Sequence, residues 1–169
     1  MLLELLAPTA DDTRGIGAAL APHLRPGDGV ALTGELGAGK TTLVQGLARA
    51  AGYEGPVASP TFTLVREYRT EHLLLIHVDV YRLDRVQDVV DLGLQELLEE
   101  DGVLLVEWGD AVEALLPPDH LVVELALDVA DPAEVAPDET RRLSIRGVGE
   151  GWATRWERLE HGLQRWGAA

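Results

Sequence analysis

One stretch limits the possible folds of this chain more than any other: GELGAGKTT, Gly34 to Thr42. It satisfies G-x-x-x-x-G-K-[ST] through Gly34, Gly39, Lys40 and Thr41, and each position has a physical task. The glycines let the backbone turn so that successive N–H groups point inward at phosphate oxygens. The loop residues Glu35, Leu36, Gly37, Ala38 and Gly39 are therefore candidates for nucleotide contact. Lys40 is placed to neutralise the β- and γ-phosphates and the Thr41 hydroxyl to ligate Mg2+, while the helix starting there adds its N-terminal dipole. The flanks agree. VALTG (Val30 to Gly34) has the composition of a short buried strand, and TTLVQGLARAAG follows with Leu43, Leu47 and Ala50 at helical spacing and Gly52 as a stop. Lys40 is also the only lysine, the other basic residues being 13 arginines.

The rest of the chain has the order that such a loop requires. LLELL predicts a first, edge strand. Thr9 followed by Asp12 resembles a capping box, with a helix to about Leu24. PGDG (Pro26 to Gly29) is a turn and YEGPVASP (Tyr53 to Pro60) a loop. TFTLVREY (Thr61 to Tyr68) and HLLLIHVDVY (His72 to Tyr81) predict two strands of an antiparallel hairpin. A helix is expected over Val86 to Glu100, a buried strand over Gly102 to Trp108, and a short helix over GDAVEALL, stopped by Pro117 and Pro118. LVVELAL and RRLSIRG are two late strands separated by an acidic surface loop. Trp152, Trp156, Leu159, Leu163 and Trp166 share one face of a final amphipathic helix over about 152–166, an arrangement of core packing rather than docking. The expectation is an α/β fold: a single P-loop domain over 1–169, its mixed sheet combining a parallel core with antiparallel strands and flanked by helices.

Composition narrows the partners. A net charge of −15 repels phosphate backbones, so tight direct binding of nucleic acid would need a local basic patch. Arg66, Arg69, Arg82 and Arg85 are the candidates for one. A protein partner or a small nucleotide suits this field better, and DNA is not expected. Cysteine is absent, which excludes disulfides and thiolate metal sites. With no N-terminal signal pattern and no long apolar run, the cytoplasm is the expected compartment and no membrane contact is expected. The absence of asparagine and the preference for arginine suggest a thermophilic or a GC-rich source.

A P-loop needs an acidic partner for Mg2+ and a group that positions the attacking atom. Two apolar strands end in acids, LLLIHVD at Asp79 and VLLVEW at Glu107, and the carboxyl ends of strands surround the phosphates in such sheets. Asp79 is assigned to Mg2+, directly or through water, and Glu107 to orienting the hydrolytic water. The same geometry permits the exchange of those roles. In SPTFTLV, strand alternation would put Ser59, Thr61 and Thr63 on one face, within reach of a γ-phosphate as in a switch segment. Threonines chosen for β-propensity would look the same. His77 shares a face with Asp79. It lacks the other ligands of a metal site and fits a hydrogen-bonding role behind the acids. Trp108 is placed to stack on a base or a partner, or to pack.

Taken in order, GELGAGKTT, SPTFTLVREY, HVDVYRL, DLGLQE and VEWGD resemble the TsaE (YjeE) family, bacterial P-loop ATPases required for threonylcarbamoyladenosine modification of tRNA. The resemblance spans roughly Thr9 to Leu127. It implies Mg-ATP bound at Lys40 and Thr41, with Thr42 as a further nucleotide contact. It places Asp79 at the acidic metal-site position, Glu107 and Trp108 at the Glu-Trp pair near the nucleotide, and Thr61 at the switch-like threonine. The implied partners are the TsaB–TsaD pair, which transfers the threonylcarbamoyl group to adenosine 37, with tRNA met only indirectly and ATP hydrolysis resetting the complex. Gly109, where many relatives have proline, and the acidic insertion around Asp131 to Thr140 depart from the pattern. A small-molecule kinase would share the P-loop, with Asp79 as base, but no long Arg-rich lid follows the hairpin. A GTPase is disfavoured because N-K-x-D cannot occur without asparagine.

Overall fold

The computed structural model describes residues 1–80, 93, 96, 102–108, 116–128 and 140–168. The helices expected over 86–100 and 109–116, Gly109, Arg82, Arg85 and most of the acidic insertion lie outside the described residues.

Seven strands form one sheet: β1 (Leu2–Ala7), β2 (Gly29–Thr33), β3 (Val65–Arg69), β4 (Leu74–Asp79), β5 (Gly102–Glu107), β6 (His120–Leu127) and β7 (Arg141–Val148). Their order is β1-β7-β6-β2-β5-β4-β3. β6, β2, β5 and β4 run parallel, whereas β1, β7 and β3 are antiparallel to their neighbours. The expected mixed sheet with a parallel core is what forms, and LLELL is indeed an edge strand. β4 and β5 are buried along their whole length. That explains why their sequences are continuous apolar runs rather than alternations.

Side chains alternate between the faces. Leu75, Val103 and Leu105 join a large core with α1 (Ala10–Leu20), α2 (Lys40–Ala50) and α3 (Glu150–Leu163), while Leu74, Ile76, Val78, Leu104 and Val106 form a second cluster on the opposite face. Each fully buried Leu, Ile or Val contributes about 1.5–3 kcal/mol to holding these layers together. By the same alternation His77, Asp79 and Glu107 share the face of Leu75 and Leu105, toward the P-loop helix. α1 and α2 meet backbone to backbone: a Cβ at Gly17 would run into the Leu43 carbonyl, and one at Gly46 into that of Arg14.

The Thr9 cap forms as expected, its hydroxyl accepting the Asp12 N–H at 3.1 Å and donating to the Asp12 carboxylate at 2.7 Å. The helix is shorter than its sequence pattern suggests. It ends at Leu20 and continues as a 3-10 turn over Ala21–His23, because Pro22 supplies no N–H and its ring crowds the preceding turn. α3 and the 3-10 turn after it bury Trp152, Leu159, Leu163 and Trp166, so the tryptophan stripe packs in the core.

One strand expectation fails locally. Thr61 to Thr63 form a turn, and β3 starts only at Val65. The Leu64 N–H is taken by the Pro60 carbonyl at 2.7 Å, and Leu64 stands at a φ of 64°. The hydroxyls of Ser59 and Thr61 bond to a side chain instead of following strand alternation, a competition that Ser and Thr often win. Ser59, Thr61 and Thr63 therefore do not lie along one strand face.

Candidate functional site

The P-loop connects β2 to α2. Gly34 and Gly39 stand at φ values of 128° and 107°, conformations that favour glycine, and a Cβ at Gly34 would strike the Leu125 carbonyl. Gly39 is the N-cap of α2 and offers no side chain to its first turn. The N–H groups of that first turn point out of the helix end and make the anion-binding end that the motif implies. Glu35, Leu36 and Gly37 form the exposed tip of the loop, and Ala38 is buried beneath it. Lys40 is buried, its Nζ donating to the Gly34 carbonyl at 2.7 Å and the Glu35 carbonyl at 3.0 Å. The ammonium lies 4.0 Å from the Trp108 ring centroid, a cation–π contact. Thr42 sits beside Thr41 in the first turn of α2 and is partly buried.

Asp79 and Glu107 end adjacent parallel strands and stand opposite each other in register. Both are buried, with 3% and 4% of their surface exposed. Each acid meets a different part of the site. The Thr41 hydroxyl donates to Glu107 Oε1 at 3.1 Å, while Asp79 Oδ2 accepts from Thr61 at 3.0 Å and from Ser59 at 3.5 Å. His77, fully buried, brings Nε2 to 2.8 Å from Glu107 Oε1 and Nδ1 to 3.1 Å from the Tyr68 hydroxyl. This is the hydrogen-bonding place behind the acids that the sequence assigned to it. Burial raises the Tyr68 phenol above its ordinary pKa, so it stays protonated and donates to the Ala58 carbonyl at 3.1 Å.

The oxygen donors Thr41, Glu107 and Asp79 fit Mg2+, a hard cation usually held by one or two carboxylates plus phosphates and water. A groove of about 610 Å3 against α1 and α2, lined by residues including Arg14, Arg49 and Tyr53, contains none of the expected site residues.

Two contacts were not visible in the sequence. Arg141, at the start of β7, donates from Nε to the Ala38 carbonyl at 3.0 Å and reaches the Gly37 carbonyl at 3.5 Å, holding the P-loop from a strand about a hundred residues away. Its pairing with Leu127 of β6 and Ala7 of β1 brings it there, and no local pattern announces it. Tyr68 carried a weak signal: an aromatic set among charged residues in VREYR. Trp108 takes a φ of 65° and donates its N–H to the Leu32 carbonyl at 2.7 Å, the left-handed residue that closes β5 over Lys40.

Strand, glycine-rich loop and helix, with two acids at the ends of neighbouring parallel strands, define a P-loop nucleotide-binding α/β domain. The family described as "Threonylcarbamoyl adenosine biosynthesis protein TsaE" matches residues 7–134. The tRNA threonylcarbamoyladenosine biosynthesis protein TsaE of Streptomyces coelicolor is 43% identical over 144 residues, covering 83% of this chain and 94% of that protein. The protein of the same name from Bacillus subtilis is 37% identical over 149 residues, 88% of each chain. The crystal structure of Bacillus subtilis YdiB superposes with a TM-score of 0.73 and 33% identity, over 98% of this chain and 95% of that one. The chain belongs to the TsaE family, proteins of threonylcarbamoyladenosine biosynthesis. No helix among the described residues is long and apolar enough to cross a membrane.

Proposed function

We propose that this chain is the ATPase component of the cytoplasmic machinery that makes N6-threonylcarbamoyladenosine at position 37 of tRNA, hydrolysing ATP to ADP and phosphate to support TsaB–TsaD turnover. The observation that carries this reading is the 3.1 Å contact between the P-loop hydroxyl of Thr41 and Glu107. It joins the phosphate-binding loop to an acid of the neighbouring strand, the pairing by which P-loop enzymes hold a metal against the β- and γ-phosphates.

In this reading the loop N–H groups of residues 35–39 and Lys40 cradle the triphosphate, with Thr42 and Trp108 flanking it. Mg2+, when bound, would neutralise charge on the phosphates. The Thr41–Glu107 contact favours the exchanged assignment of the acids, with Glu107 and Thr41 on the metal side. Asp79, hydrogen-bonded to Thr61, is then left to orient the attacking water beside the γ-phosphate. Hydrolysis needs that water ordered and the 59–64 segment settled, and a protein docked over this end would supply both. The exposure of Leu36 at 90% and Phe62 at 85%, one on the loop tip and one in that segment, supports protein docking there. The acidic surface agrees with a component that meets tRNA only through its partners.

The test is a count of modified nucleoside made by TsaB–TsaD and threonylcarbamoyl-adenylate with this chain or its Lys40→Ala variant. Many turnovers with the wild-type chain and a stall near one turnover with the variant are expected. Equal yields over many turnovers would remove this chain's ATPase from the cycle.

A further inference from the structure

Four hydrogen-bonding side chains form a continuous path from the P-loop to a loop remote from it in sequence. Thr41 Oγ1 meets Glu107 Oε1 at 3.1 Å, and the same oxygen meets His77 Nε2 at 2.8 Å. His77 Nδ1 meets the Tyr68 hydroxyl at 3.1 Å, which in turn donates to the Ala58 carbonyl at 3.1 Å. Ala58 immediately precedes the Ser59–Thr61 stretch, where the hydroxyls of Ser59 and Thr61 reach Asp79. The same segment is held at its far end, where the Asp79 N–H donates to the Leu64 carbonyl at 3.0 Å. Segment 58–64 is thus tied to both acids, directly to Asp79 and through Tyr68 and His77 to Glu107.

We propose that Tyr68 and His77 are positioning residues that couple the orientation of Glu107 to the placement of segment 58–64, so that occupancy of the nucleotide site and the state of that segment change together. The inference rests on the proposed nucleotide site. Its physical basis is the continuity of the path. The Tyr68 hydroxyl bridges the Ala58 carbonyl and His77 Nδ1, each at 3.1 Å. That contact locks the ring with Nε2 toward Glu107, as the outer partners of metal-binding groups commonly do. His77 and Tyr68 are 0% and 2% exposed, so water cannot replace either bond at little cost. A rotation of the Glu107 carboxylate toward a ligand must either break the path or pull on the Ala58 backbone.

Tyr68→Phe removes one oxygen and keeps the ring packed on Tyr53, with centroids 5.0 Å apart. In Tyr68→Phe, kcat for ATP should fall about 10-fold or more, within the 10–100-fold range for lost outer-shell partners. KM and the Kd for a fluorescent ATP analogue should stay within about twofold, because the P-loop carries binding. His77→Gln should act in the same direction, and the double variant should lose no more than the worse single, as members of one path are not additive. The second readout is amide hydrogen exchange over 58–64 with and without Mg-ADP. In the wild-type chain Mg-ADP should change that exchange, and in Tyr68→Phe the change should vanish while thermal stability shows the fold intact. A nucleotide-dependent change preserved in both variants overturns the coupling, as does additive loss in the double variant. If the wild-type chain binds nucleotide but hydrolyses none, the proposed ATPase function fails, and the exchange comparison still decides whether the link exists.

Discussion

Asp28 and Glu107 are both buried carboxylates, yet they are surrounded in opposite ways. Asp28, in the turn before β2, receives a two-pronged contact from Arg155 of α3, at 2.6 and 2.9 Å, and the Arg25 N–H at 2.8 Å. The guanidinium also donates to the carbonyls of His23 and Gly151 and stacks 4.0 Å over the Trp152 ring. Both oxygens of Asp28 are engaged by the flat cation, and the pair pins the C-terminal helix to the start of the P-loop strand. Among the described residues, Glu107 makes its side-chain contacts through Oε1 alone, to a hydroxyl and an imidazole. A carboxylate saturated by a permanent cation serves the fold. One held on a single oxygen by exchangeable donors, next to a P-loop, is set up to take a ligand.

That contrast should break most visibly at the loop itself. Lys40→Ala is expected to abolish hydrolysis and to weaken ATP binding in calorimetry, because a charge shared by two phosphates is lost. Wild-type affinity in that variant would remove the P-loop assignment. The acids should come next. With the roles proposed above, Asp79→Ala keeps nucleotide and slows the chemical step by about 10²–10⁴-fold, the usual range for a lost acid–base group. Glu107→Ala should lose Mg2+-dependent affinity and turnover together. The opposite pattern in paired binding and single-turnover assays would return the acids to their first assignment.

At the other carboxylate the expected effect is on stability. Arg155→Ala strands a buried Asp28 and should cost about 3–5 kcal/mol in urea unfolding, with KM and kcat of the folded protein unchanged. A kinetic defect without a stability loss would erase the distinction between the two clusters. The smallest effect concerns His23, whose pKa is held below 6.5 by burial and by the charges of Arg155 and Arg158. The unfolded chain takes up this proton more readily than the folded one, so stability must rise with pH where the two states differ. The contribution is complete above about pH 6.5 and declines as pH falls from there toward the lowered native value. Melting curves across that range should slope less for His23→Gln than for the wild-type chain.

How far the sequence carried depended on whether the determining interactions were local. GELGAGKTT fixes a strand, a loop and a helix within a few residues, and the apolar runs ending at Asp79 and Glu107 locate both acids at the same end of the sheet. His77 followed from alternation with Asp79. The 61–64 turn did not, because side-chain hydrogen bonds to Asp79 outcompete the strand pattern of TFTLV. Arg141 and Tyr68 were hidden for a different reason. Their partners at Ala38 and Ala58 are set by strand pairing and loop path rather than by spacing along the chain. The Arg155–Asp28 pair, 127 residues apart, is of the same kind.

If this end of the sheet hydrolyses ATP in the service of a protein partner, steady-state phosphate release by the purified chain should be slow alone, rise clearly when the TsaB–TsaD pair is added, and be absent from Lys40→Ala in either condition. Release unaffected by TsaB–TsaD, with the γ-phosphate recovered instead on a small hydroxyl-bearing acceptor, would contradict it and make the chain a kinase.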